Sequence, residues 1–131
     1  MTARKLSGVA FRIAEIQLLE YGGVFGPRSY TSIEGDLGTR LLPCVIELAL
    51  AVDFEAAVND STTLSVDLLD AASRSLFFQD FSIRATQDGS DRTELRLGKL
   101  KLLEPGEYVF RVWRGEAMVF ELKSSLGSSD T

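Results

Sequence analysis

The chain has 131 residues, 45% hydrophobic and 25% charged, with a net charge of −5 and no histidine. That length suits one domain with a sizeable core, and the composition excludes a disordered or collagen-like chain. The acidic balance, with no basic block, argues against nucleic acid and membrane surfaces as partners, and without histidine this chain can build neither Ser-His-Asp nor Cys-His catalysis nor a His-rich zinc site.

Residues 1–8 are expected to form a flexible N-terminus. Arg4 and Lys5 are basic, but the stretch that follows carries Arg12, Glu15 and Gln17. It is too polar for a signal peptide or a membrane span, so the expected compartment is the cytoplasm. Over residues 9–20, Phe11 and Ile13 share one parity and Ile16 and Leu18 the other. A bulged strand fits, and so does a short helix using Phe11, Ala14 and Leu18. Tyr21-Gly22-Gly23 signals a hairpin turn. Val24, Phe25, Tyr30 and Ile33 then read as a second strand interrupted by Gly26-Pro27, and residues 34–40 read as a polar connection.

Over residues 42–52 the even positions are all apolar. Leu42, Cys44, Ile46, Leu48, Leu50 and Val52 form one apolar row, with Pro43, Glu47, Ala49 and Ala51 between them. This predicts a long strand with one buried face. Cys44, the single cysteine, lies in that row and is expected to be a buried, unreactive core residue. Leu64, Val66 and Leu68 predict another strand, followed by a turn over residues 70–74. Phe77, Phe81 and Ile83 share a face in the next strand, and residues 87–91 form a polar loop. Leu95 and Leu97 are of one parity, Leu100 and Leu102 of the other. The switch at Gly98-Lys99 marks either a β-bulge or the end of the strand.

Tyr108, Phe110 and Val112 alternate with Glu107 and Arg111, and Met118, Phe120 and Leu122 with Glu121 and Lys123. Pairing the aromatics across a hairpin sets Phe110 opposite Phe120 and leaves Arg114-Gly115-Glu116 as a three-residue loop. The domain is therefore placed at residues 9–123, with residues 124–131 a disordered tail. Seven or eight one-sided strands with short turns predict an antiparallel two-layer β-sandwich of immunoglobulin-like type. A small closed barrel is the alternative.

Leu103-Glu104-Pro105-Gly106-Glu107-Tyr108 has the form of a tyrosine corner. Pro-Gly supplies the turn, and the tyrosine ring is buried with its hydroxyl returned to upstream backbone. Phe110 stands where antibody domains place a disulfide cysteine. Together, "GVFGPRSYTSI", the Leu-Pro-rich long strand, "LSVDLLDAASRSLFF" and "LEPGEYVFRVWRGEAMVFEL" resemble the small bacterial β-sandwich family catalogued as domain of unknown function 6941. The resemblance spans residues 13–122. It implies a fold and no site.

Few residues point to chemistry. Asp88-Gly89-Ser90-Asp91 with Glu94 looks like a fragment of a calcium loop, without the regular ligand spacing. Tyr21, Phe25, Arg28 and Tyr30 cluster around the first turns. Parity places Trp113 on the outward face, flanked by Arg111 and Arg114, a composition common at interaction hot spots. The competing reading is a Trp covering one end of the sandwich. The expected function is a non-enzymatic binding or assembly module using a sheet face or end loops, with another protein or a second copy as partner. The alternative is a small-ligand-binding protein, or a histidine-independent enzyme with carboxylate, Tyr or Lys chemistry. No catalytic residue, cofactor or metal is assigned.

Overall fold

The computed structural model of the chain describes residues 10–21, 28–33 and 35–129. The expected flexible N-terminus, the Tyr21-Gly22-Gly23 turn and the Gly26-Pro27 interruption fall wholly or mainly outside these residues. Nine strands are described: β1 (Ala10–Tyr21), β2 (Arg28–Ile33), β3 (Asp36–Arg40), β4 (Cys44–Ala56), β5 (Ser61–Leu69), β6 (Ser75–Arg84), β7 (Gly89–Leu102), β8 (Gly106–Arg114) and β9 (Ala117–Ser128). They form a four-stranded sheet in the order β2-β1-β4-β7 and a five-stranded sheet in the order β3-β9-β8-β5-β6. Two sheets with separate edges make a sandwich and not a closed barrel. The runs β1-β4-β7 and β9-β8-β5 follow the A-B-E and G-F-C orders of immunoglobulin domains, with β6 in the place of the additional strand beside C.

The apolar rows meet between the layers. Leu48, Leu50 and Val52 of β4 are buried, as are Leu64, Val66 and Leu68 of β5 and Tyr108, Phe110 and Val112 of β8. The parity switch in β1 is a bulged strand and not a helix: its register against β4 jumps between Ile13 and Glu15, leaving Ala14 unpaired. β7 runs unbroken through its own switch. Leu48 opposes Gly98 and Ala49 opposes Arg96, so Leu97 is the inserted residue. Gly98 takes φ of 80°, which a side-chain-bearing residue adopts only under strain. The insertion keeps Leu95 and Leu97 on one side of the bulge, and Leu100 and Leu102 on the other, all buried in one core.

Four expectations are corrected. Residues 36–40 are a strand, and the supposed tail is ordered as far as Ser128: β3 and the end of β9 pair in parallel, making the five-stranded sheet mixed. Each segment holds one apolar peg, Leu37 and Leu126, and both pegs are buried. The last hairpin sets Phe110 opposite Leu122 and Val112 opposite Phe120, with a bulge at Val119 and only Gly115 and Glu116 in its loop. Beyond that bulge Met118 leaves the core side and lies opposite Trp113. Finally, Cys44 belongs to the apolar row but is only half-buried, because it is the first residue of its strand.

The tyrosine corner is formed. Tyr108 is 1% exposed, and its hydroxyl donates to the Glu104 carbonyl at 2.6 Å. Burial pushes the phenol above its ordinary pKa. Beside it, the Asp70 carboxylate accepts the Ala72 and Arg74 amides at 2.9 and 2.8 Å and the Arg74 Nε at 3.0 Å. The Arg74 amide leads in holding Asp70 below the usual carboxylate range. Glu104 and Tyr108 thus brace the β7–β8 connection, while Asp70 fixes the β5–β6 turn against it. Tyr108→Phe is expected to lower stability by about 1–2 kcal/mol, the cost of losing this part-buried hydrogen bond. An unchanged urea midpoint would show that the hydroxyl contributes nothing to the corner.

Candidate functional site

The outer face of the five-stranded sheet gathers side chains that are distant in sequence. Register places Phe78, Asp67, Arg111 and Glu121 in one row across β6, β5, β8 and β9. The neighbouring row holds Asp80, Ser65, Trp113 and Met118. Period-two alternation explains this directly: Leu64, Val66 and Leu68 point inward, so Ser65 and Asp67 must point out.

Asp67 is only 5% exposed although it lies on the outer face. Arg111 holds it with two bonds, Nε to Oδ1 at 2.8 Å and Nη2 to Oδ2 at 2.6 Å. This fork geometry suits a guanidinium and a carboxylate, and the bond to Asp67 is the main influence raising Arg111 above its ordinary pKa. The Arg111 guanidinium also lies 5.2 Å from the centre of the Trp113 ring, a cation–π distance. In the adjoining row, Ser65 Oγ donates to Asp80 Oδ1 at 2.5 Å.

A shallow cleft of about 420 Å³ opens here, lined by Ser65, Asp67, Phe78, Trp113, Gly115 and Glu116. Phe78 is 63% exposed, and Met118 and Val119 are 46% and 42% exposed. Trp113 is half-buried. It therefore lies on the outward face, as parity required, but its ring is partly covered. Arg111 and Trp113 are brought together. Arg111 is held to Asp67 within the sheet through its Nε and Nη2 edge. Arg114 is half-buried at the start of the hairpin loop, opposite Ala117. Phe78 and Asp67 were not singled out from sequence, and the one available signal was their parity within their own strands.

The other candidate clusters lead elsewhere. The expected polar loop over residues 87–91, which resembled a calcium-binding fragment, is mostly the start of β7, paired with β4; Asp88 Oδ1 accepts the Val58 amide at 2.7 Å and Asp91 Oδ1 the Arg92 amide at 2.8 Å. Among the described residues no group of three or more His, Cys, Asp or Glu is placed to hold a metal. The aromatic cluster of Tyr21, Phe25, Arg28 and Tyr30 lies outside the residues whose side chains are described. A wider concavity, about 640 Å³, lies at one end of the four-stranded sheet beside Arg12, Asp53 and Arg92. There Asp53 is bridged by Arg12 at 2.7 Å and by Arg92 at 2.6 Å. The Arg92 bond leads in lowering the Asp53 pKa. The lining of this concavity carries two arginines and three carboxylates, and Phe54, the one aromatic lining it among the described residues, is buried. Among the described residues no helix is long and apolar enough to cross a membrane.

No family model matches this chain, and no curated protein matches it either. Among solved structures the likenesses are partial. A β-glucosidase from Erythrobacter marinus is similar at 16% identity and a TM-score of 0.48, over 90% of this chain and 15% of that one. The β-D-glucoside glucohydrolase of Trichoderma reesei gives 10% identity and 0.46, over 91% and 19%. A β-glucosidase from Listeria innocua gives 13% and 0.47, over 91% and 16%. The chain spans less than a fifth of each of these proteins, and likeness at this level carries nothing about what the chain binds or does.

Proposed function

We propose that the protein is a non-enzymatic binding module whose contact surface is the outer face of the five-stranded sheet, centred on Trp113. The observation that carries this reading is the run of exposed apolar side chains there, Phe78, Met118 and Val119, around the half-buried Trp113. Apolar surface collected on one face marks an interaction site more than scattered apolar residues do. The cleft between Phe78 and Trp113 has no catalytic grouping: Asp67 is consumed by Arg111, and Asp80 accepts from Ser65. It is also a notch in a broad face, which fits a side chain projecting from a protein partner better than a small molecule that needs enclosure. A single cysteine without a disulfide partner supports a reducing compartment such as the cytoplasm.

Trp113→Ala tests the reading. It should abolish capture of the partner while lowering stability by about 1–3 kcal/mol, the loss of the covered part of the ring and of its cation–π contact. A variant that unfolds, or one that keeps its partner, would remove Trp113 from the contact surface.

A further inference from the structure

We propose that β6 is the seat of a symmetric dimer, in which two copies of this chain join their five-stranded sheets through antiparallel β6–β6 pairing. β6 is the last strand of its sheet, and among the described residues it pairs with β5 alone. Its far side is a row of backbone donors and acceptors ten residues long, a template for another strand.

β7 and β3, the other edges whose side chains are described, are guarded and β6 is not. β7, at the edge of the opposite sheet, exposes Asp91, Arg92, Glu94, Arg96, Lys99 and Lys101 and carries the Gly98 bulge. β3 has only five residues and β2 six. Charges, bulges and shortness are the usual guards against edge pairing. From Ser75 to Ile83, β6 has a single charge, Asp80, and neither lysine nor proline; its one irregularity is at its very start, beside Ser75. It also carries exposed or half-buried aromatic rings on both faces. Phe78 projects outward, while Phe77 and Phe81 point toward the core but are only half-buried. A strand laid alongside would cover all three.

Self-complementarity selects the occupant. If the joined sheets keep their inner faces on one side, residues of equal parity must oppose one another. A two-fold axis at Gln79 then sets Phe77 of one copy against Phe81 of the other, twice, on the core side. Outside, Phe78 meets Asp80 of the other copy, and from Ser75 to Ile83 no like charges oppose. An axis at Asp80 would set two carboxylates face to face, which is unfavourable. Such a contact is isologous and closes at two copies. The two readings share Phe78, but the dimer does not rest on the Trp113 reading, because Trp113 is on β8 and β6 uses its edge.

The test is sedimentation equilibrium of the full chain from low to high micromolar concentration. Gln79 is exposed, so charge can be placed there without disturbing the core. The wild-type chain should dimerise. Gln79→Lys and Gln79→Glu should each raise the dissociation constant at least roughly tenfold, since like charges would meet at the axis. An equimolar mixture of the two variants should restore the dimer, and Trp113→Ala should leave it intact. The proposal is overturned if the wild type stays monomeric, if either charged variant dimerises as the wild type does, if the mixture fails to associate, or if Trp113→Ala dissolves the dimer.

Discussion

Arg111→Met should lower the unfolding free energy by about 3 kcal/mol, the low end of what breaking a buried ion pair costs. Asp67 is the reason. Its carboxylate is 5% exposed and takes both of its bonds from Arg111, so the substitution leaves a buried charge without a partner. Methionine keeps most of the aliphatic stem that packs on the face, which confines the change to the guanidinium. The low end applies because Arg111 keeps 27% of its side chain exposed, so water can enter when the head group is removed. A second substitution separates the two parts of this cost. Asp67→Leu in the Arg111→Met background removes the orphaned charge and should recover most of the loss, since an apolar pair is often as stable as the ions it replaces. Urea unfolding at constant slope provides the measurement. A single variant within about 1 kcal/mol of the wild type, or a double variant no better than the single, would show that Asp67 does not depend on Arg111.

The sidedness of nearly every long strand was legible in the sequence, because alternation needs no knowledge of neighbours. The even row of β4 and the parity switch at Gly98 are cases. What alternation could not supply was pairing. Shifting a strand by two residues keeps each side chain on its face. Burying aromatics therefore cannot distinguish Phe110 opposite Phe120 from the observed Phe110 opposite Leu122. The bulge at Val119 then turned Met118 outward, a change that the sequence around it, all apolar, does not signal. β3 and the end of β9 were missed for another reason. Each offers one buried apolar residue among Gly, Ser, Thr and, in β3, Asp36 and Arg40, and they stabilise one another only across a long sequence separation. The site was legible to the same extent. Parity put Trp113 outside, but Phe78 and Asp67 reach it only through the β6-β5-β8 order, which a single chain read alone does not reveal.

Gly106→Ala should be at least as damaging as loss of the Arg111 pair, at about 3 kcal/mol or more, because two independent demands on this residue are violated together. The first is conformational. Gly106 has φ of 135°, a region that residues with a side chain enter at a cost of about 1–3 kcal/mol. The second is steric. A Cβ at this position would stand 2.6 Å from the Ala71 Cβ, well inside the roughly 3.5–4.0 Å at which carbon atoms attract. Ala71 cannot simply withdraw, because its turn is closed by the Ala72 and Arg74 amides on Asp70 and by the Asp70 amide on the Arg74 carbonyl at 2.9 Å. Gly106 cannot retreat freely either, since it opens β8, pairs with Leu126 and directly follows the turn that Tyr108 anchors to Glu104. The two demands can be separated by adding Ala71→Gly to the Gly106→Ala variant. That change clears the contact and leaves the backbone conformation as it was, so the double variant should regain only the steric part and stay about 1–3 kcal/mol below Ala71→Gly alone. Full recovery in the double variant would mean that the positive φ is not required. A Gly106→Ala variant as stable as the wild type would mean that the corner yields, and that the packing of the 70–74 turn against it does not fix this end of the sandwich.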